Sequence, residues 1–107
     1  MEKRDKNEIL MPFEGKRPEI GERVWIDPTA KLIGEVKIGD DSSIWPGVIM
    51  RGDVNYIEIG ARTSIQDGTI IHVANDGKLS PGGHPTIIGD DVTVGHGAML
   101  HGCTIEE

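Results

Sequence analysis

The chain has 107 residues, enough for one domain or a piece of one, and sets 11 Lys and Arg against 18 Asp and Glu for a net charge of −7. That acidic balance argues against nucleic acid or an anionic membrane surface as the main partner, and no apolar run is long enough to span a bilayer. Met1-Glu2-Lys3-Arg4-Asp5-Lys6 is followed by no apolar stretch, so no secretion signal is expected, and the one cysteine, Cys103, has no partner for an internal disulfide. A cytoplasmic, reducing home is the expectation.

The 15 Ile, 7 Val and 6 Thr outnumber 4 Leu and 4 Ala. β-Branched side chains are stiff at χ1 and fit the pleat of a strand, so an all-β fold is expected, with 15 Gly and 6 Pro to make its turns. Residues 1–18 mix charges with Ile9, Leu10, Met11 and Phe13 and read as an N-terminal extension packing on the main domain.

Residues 19–107 repeat. Ile-Gly recurs at Ile20, Ile38, Ile59 and Ile88, and between these pairs apolar residues return every six positions. The series is Ile20, Ile26, Leu32; Ile38, Ile44, Met50; Ile59, Ile65, Ile71; and Ile88, Val94, Leu100. Four positions after each stands a small or β-branched residue, Val36, Val48, Val54, Thr63 and Thr104 among them, failing only at Asn75. Six is not a helical period. It suits a short strand plus a corner, and three such units close a triangular coil of 18 residues.

In that coil the apolar residue points inward, the small one fills the space beside it, and Gly at the first corner allows a sharp bend. Successive coils then pair as parallel strands roughly 4.8 Å apart, giving a parallel β-helix of hexapeptide repeats with about four coils. Two insertions interrupt it, one of 3 residues near Asp53 to Tyr56 and one of 11 within Val73 to Ile87, where Gly77, Pro81, Gly82, Gly83 and Pro85 mark a loop. Such loops on a rigid scaffold often carry function.

Sorting the units by corner puts Gly21, Gly39, Gly60 and Gly89 in one column, Asp27, Trp45, Gln66 and Gly95 in a second, and Ile33, Arg51, His72 and His101 in a third. Imidazoles on neighbouring coils, about 4.8 Å apart, can converge on one divalent ion; a stacked pair on a solvated corner is the simpler alternative. His96 stands five residues before His101, roughly 16 Å of extended chain, too far to share that ion comfortably within one chain. A three-sided prism offers a solution in a homotrimer, with His72 and His101 of one copy and His96 of the next as metal ligands.

Arg51 beside the ion is placed to hold an anion, or to pair with Asp53. Gln66 shares a corner with His96 and is placed to hydrogen-bond a water at the metal, and Asp67 to orient a ligand or cap its own turn with Gly68. His84 reads as a loop histidine and Cys103 as a small packing residue.

Arg51-Gly52-Asp53, Ser64-Ile65-Gln66-Asp67-Gly68, Ile71-His72, Val94-Gly95-His96-Gly97-Ala98 and Leu100-His101-Gly102-Cys103 resemble the γ-class carbonic anhydrase family, a likeness that covers roughly residues 12 to 107. The resemblance implies a left-handed β-helix, a Zn²⁺ (or Fe²⁺ or Co²⁺) on His72, His96 and His101 at a trimer interface, and reversible hydration of CO₂ to bicarbonate. It also implies that Arg51 and Asp53 bridge subunits near bicarbonate, that Gln66 contacts solvent at the metal, and that Asp67 belongs to the same motif.

The chain departs from the best-known active members in two ways. Val54 stands where they have a glutamate, and the loop after His72 has Asp76 but no glutamate, which points to slow or conditional activity. The repeat also stops at Glu107 without further coils or a capping helix, so a C-terminally truncated member is expected. Two other classes fit the same scaffold: a hexapeptide acyltransferase or thioesterase, and a non-catalytic metal-binding or assembly module.

Overall fold

A computed structural model describes residues 9–76 and 81–106, leaving residues 1–8 of the expected extension, residues 77–80 of the expected loop (Gly77 among them) and Glu107 outside. Strand β1 (Leu10–Met11) precedes the first coil, which holds β2 (Glu19–Ile20), β3 (Trp25–Ile26) and the first part of β4 (Lys31–Ile38). The second coil takes the rest of β4, β5 (Ser43–Ile44) and the first part of β6 (Ile49–Ile59). The third continues through β6, β7 (Ser64–Ile65) and β8 (Ile70–His72), and the fourth holds β9 (Thr86–Ile88), β10 (Thr93–Val94) and β11 (Met99–His101), followed by β12 (Thr104–Ile105).

Every pair among these named strands is parallel. One wall is the four-stranded sheet β3-β5-β7-β10; the other two form one eight-stranded sheet, because β4 and β6 run through the third corner unbroken. The chain is therefore an all-β solenoid of about four coils.

The six-residue period has a direct cause in the register. Ile20 pairs with Ile38, Ile38 with Ile59 and Ile59 with Ile88, so each inward side chain lies over its counterpart one coil away. Leu32, Ile38, Ile44, Met50, Ile59, Ile65, Ile71 and Ile88 are all buried. Leu10 pairs with Leu32, so the extension contributes a strand at the head of the third wall.

The filling residues depart from the expected spacing where the insertions act. Val54 is 49% exposed, and Ile57, which pairs with Thr86, is buried in its place. Asp53–Tyr56 bulge opposite the single Glu35, so the inward position must be counted back from Ile59 and not forward from Met50. Thr104 is likewise exposed, because Ile105 pairs with Ile88 and shortens that corner by one residue.

The first-corner glycines serve close approach, not the expected bend. A Cβ on Gly39 would lie 2.6 Å from the Gly60 carbonyl carbon, inside any permissible contact. The left-handed residues of that corner come two positions later: Arg23 (φ 54°), Asp41 (φ 61°), Arg62 (φ 53°) and Asp91 (φ 57°). Their side chains form ion pairs between coils. Arg23 donates to both Asp41 oxygens at 2.7 and 3.1 Å, and Arg62 to both Asp91 oxygens at 2.8 and 3.0 Å. Asp40 and Asp90 reach back one coil to accept the Glu22 and Ala61 amides, both at 2.8 Å.

Gly39→Ala is expected to destabilise the chain by about 1–3 kcal/mol, because the coils must part to admit the methyl group. Gly95→Ala, with nothing within 4 Å of the added carbon, is expected to be neutral or stabilising in the same urea titration.

The hydrogen bond from Arg23 holds the Asp41 carboxyl below its usual range, against the opposing effect of burial, and Arg62 acts on Asp91 in the same way. A carboxyl depressed in the folded state adds stability above its unfolded pKa of about 3.9 and loses it as pH falls through the folded value. The melting-temperature gap between the chain and an Asp41→Asn/Asp91→Asn variant is therefore expected at neutral pH, to close on acidification below that range, and to shrink in high salt.

Candidate functional site

The third wall carries the expected column. Met50 pairs with Ile71 and Leu100 with Ile71, which places Arg51, His72 and His101 one residue beyond these inward side chains on the outer face. His72 and His101 are a direct cross-strand pair, with ring centroids 5.2 Å apart and planes within 6°.

The three-residue insertion supplies the partner for this column. Asp53, in the bulge, turns back so that one carboxylate oxygen accepts from His72 Nε2 at 2.9 Å and the Val54 amide at 2.7 Å. Its other oxygen accepts from Arg51 Nη1 at 2.6 Å. Burial opposes ionisation of this carboxyl, but the Val54 amide, His72 and Arg51 together outweigh it and hold the pKa below the ordinary aspartate value. His101 Nε2 lies 2.9 Å from the Val73 carbonyl oxygen. Both partners are acceptors, so each imidazole carries its proton on Nε2 in this arrangement.

The second corner holds the remaining expected residues. His96 lies in the turn after β10, its side chain 74% exposed, with Nδ1 3.5 Å from Asp67 Oδ1. The Gly97 amide donates to the Asp67 carbonyl at 2.8 Å, which stacks this turn on the one below. Gln66 Nε2 donates to Ser64 Oγ, leaving its carbonyl oxygen open as an acceptor. One chain thus brings together Arg51, Asp53, His72 and His101, and keeps His96, Asp67 and Gln66 at another corner. No three His, Cys, Asp or Glu side chains among the described residues form a group able to hold a metal.

The second insertion leaves and rejoins the coil beside the histidines. Ala74 and His84 exchange backbone hydrogen bonds of 2.8 and 3.0 Å, closing the neck of the loop. Cys103 is half-buried and free. Next to the histidine column on the same wall, Ile49, Ile70 and Met99 pair in register as an outward apolar stripe, with Ile70 41% and Met99 75% exposed. Sequence reasoning passed over this stripe, although its signal is plain: Ile49, Ile70 and Met99 each stand one place before an inward residue.

A family model described as "Bacterial transferase hexapeptide (six repeats)" matches residues 17–52. The Escherichia coli K12 protein YrdA is 52% identical over 99 residues, covering 92% of this chain and 54% of that protein. "Gamma carbonic anhydrase 1, mitochondrial" of Arabidopsis thaliana is 47% identical over 106 residues, covering 99% of this chain and 38% of that protein. Over nearly its whole length the chain is homologous to γ-class carbonic anhydrases. A crystal structure of a hexapeptide transferase family protein from Anaplasma phagocytophilum superposes with a TM-score of 0.80 at 42% identity, covering 92% of this chain and 53% of that one. The chain thus spans about half the length, or less, of the relatives it matches. No helix among its described residues is long and apolar enough to cross a membrane.

Asp53→Ala removes the acceptor shared by Arg51, His72 and the Val54 amide, and is expected to cost about 1–3 kcal/mol in a urea titration. Asp67→Ala removes only an exposed contact at 3.5 Å and is expected to change stability by less than about 0.5 kcal/mol.

Proposed function

We propose that the chain is the coil region of a metal-dependent carbonic anhydrase that interconverts CO₂ and bicarbonate at a site shared between copies of a homotrimer. The observation that carries this reading is the stacked His72–His101 pair with each Nε2 held by an oxygen. Metal-binding histidines typically donate their second ring N–H to a carboxylate or a backbone carbonyl, and Asp53 and Val73 are such partners. The donor chemistry fits a divalent ion that accepts imidazole, Zn²⁺, Fe²⁺ or Co²⁺.

His96 is the third ligand in this reading, contributed by the neighbouring copy, and its exposure on another corner leaves it available. The apolar stripe Ile49-Ile70-Met99 beside the pair supports burial of that wall against a second copy. When bound, the metal supplies the Lewis acidity that makes hydroxide available near neutral pH, for which carbonic anhydrases are themselves the standard example.

The chain's own groups do the rest. Asp53 fixes the His72 ring and anchors Arg51 through one nitrogen, leaving the remaining guanidinium donors to meet the bicarbonate anion. Gln66, with its amide nitrogen engaged by Ser64, offers its carbonyl oxygen to hold the attacking water. Asp67 orients His96. The cytoplasm remains the proposed location.

A second reading draws on the word transferase in the family model's description and in the name of the Anaplasma protein. An acyltransferase or thioesterase of this fold would use a histidine as base and need no metal. A third is a metal-binding or assembly scaffold without catalysis.

Native mass spectrometry of protein purified without chelators, with a CO₂ hydration assay, separates the three. The expected result is a trimer with three metal ions and measurable hydration, both lost in His72→Ala. Metal content and hydration unchanged in His72→Ala would sink the proposal. Turnover of an acyl-CoA that survives chelation would favour the transferase, and full metal occupancy without hydration the scaffold.

A further inference from the structure

Thr86 is fully buried, and its hydroxyl is used twice: it donates to the His72 carbonyl at 2.5 Å and accepts the Gly102 amide at 2.9 Å. No other side chain of the described residues bonds to both histidine-bearing strands at this corner. Its place in the fold explains why one is needed. In the first two coils the third corner is crossed by continuous strands, β4 and β6, so the parallel ladder carries the register around it. In the third coil the chain leaves at Val73 and rejoins at Thr86, so β8 ends at His72 and the ladder has no covalent continuation. Past the histidines the backbone pairing is carried by a 3.2 Å bond from the Gly102 amide to the His72 carbonyl and, on the rejoining strand, by a 2.9 Å bond from the Ile87 amide to the Cys103 carbonyl.

Hydroxyl staples between coils recur elsewhere in the solenoid, with a different reach. Ser42 donates to the Gly60 carbonyl at 2.7 Å and accepts the Thr63 amide at 3.0 Å; Thr63 donates to the Gly89 carbonyl at 2.7 Å and accepts the Val92 amide at 3.3 Å. Each of these joins one coil to the next at the first corner. Thr86 instead joins three segments: the strand before the loop, the strand after it and the following coil.

We infer that Thr86 is the positioning residue that holds His72 and His101 in their stacked register across the broken corner. The hydroxyl anchors the backbone of His72 and of Gly102, the residue after His101, so that neither ring can slip along its strand. The His101 N–H then stays on the Val73 carbonyl and the His72 N–H on Asp53. The consequence for metal uptake rests on the proposed reading of this pair as ligands; the positioning itself does not.

Thr86→Val removes the hydroxyl at nearly constant volume. The His72 carbonyl and the Gly102 amide keep each other at 3.2 Å, so the coil is expected to fold. In metal-free protein the His101 Nε2–H signal is expected by NMR to lose its protection from solvent in Thr86→Val and to regain it in Thr86→Ser. Thr63→Val, which removes a matched staple at the first corner, is expected to leave it unchanged. Cobalt(II) affinity should fall by about 10–100-fold in Thr86→Val, the effect of losing a group that orients a ligand, and return in Thr86→Ser.

A His101 signal equally protected in Thr86→Val, or equally lost in Thr63→Val, overturns the inference. If Thr86→Val does not fold, exchange of the Thr86 hydroxyl proton in the unsubstituted chain decides. A hydroxyl proton slow enough to be seen by NMR, with a contact to Gly102, supports the staple, and one that exchanges like an exposed hydroxyl overturns it. An unsubstituted chain that takes up no cobalt sinks the metal reading alone, while the imidazole signal still decides the role of Thr86.

Discussion

The strands of this solenoid bond along its axis, so each residue stacks on the residue one coil away, at a spacing of about 4.8 Å. A parallel ladder in register admits no other arrangement, and every column must therefore be chemically tolerable as a stack. Inward columns are met by Ile, Leu, Met and Val. Where backbones approach too closely for a Cβ, as between Gly39 and Gly60, the column is glycine. Two charged columns alternate in sign: Glu19, Lys37 and Glu58 pair in sequence on one wall, and Arg23, Asp41, Arg62 and Asp91 follow one another at the first corner. Like charges directly opposite are destabilising, and Asp40 meets the backbone amide of Glu22 instead. Two histidines stack in one column, and Asp53 and the Val73 carbonyl accommodate them.

Both insertions enter at the third corner, and the packing accounts for that choice. The first corner is closed by the glycine contacts and the charged ladder, so extra residues there would part the coils. The third corner has no such charged ladder, and its own close glycine contact, Gly34 against the Gly52 carbonyl, lies just before the first insertion, so an excursion beyond it can leave and return while the walls on either side keep their register. The first insertion brings Asp53 back onto the histidine column. The second leaves beside His72 and returns at Thr86, whose hydroxyl crosses the gap. The candidate site is therefore built where the repeat is interrupted, from a column the repeat itself supplies.

The architecture was legible because its period survives in the inward residues, from Ile20 to Leu100, and because parallel stacking has only one geometry. The Arg51-His72-His101 column followed from correcting that period for two insertions. What the period conceals is direction and partnership near an insertion. Val54 and Thr104 kept the right spacing from the preceding apolar residue and still point outward, since the register resumes from the far side of each irregularity. The glycine column was visible, but its reason was not: bending is done by Arg23, Asp41, Arg62 and Asp91, and only the neighbouring coil's backbone explains the glycines. The Val73 carbonyl and the Thr86 hydroxyl were out of reach for the same reason, since backbone acceptors and single hydroxyls leave no signature in a chain read one residue at a time.

The separation of His96 from the other two histidines has a thermodynamic consequence under the proposed reading. A pair of imidazoles on one chain binds a divalent ion weakly, and the third ligand comes only with association. Metal binding and assembly are then linked equilibria, each raising the apparent stability of the other by mass action. The exposed Ile70 and Met99 act in the same linkage although neither can touch a metal, because whatever drives that wall against another copy also sets how often the third imidazole is present. Within the chain the contribution runs the other way. Asp53, the Val73 carbonyl and Thr86 hold the pair at one spacing before any partner arrives, so the ordering cost of two ligands is met during folding and only the third must be met on association.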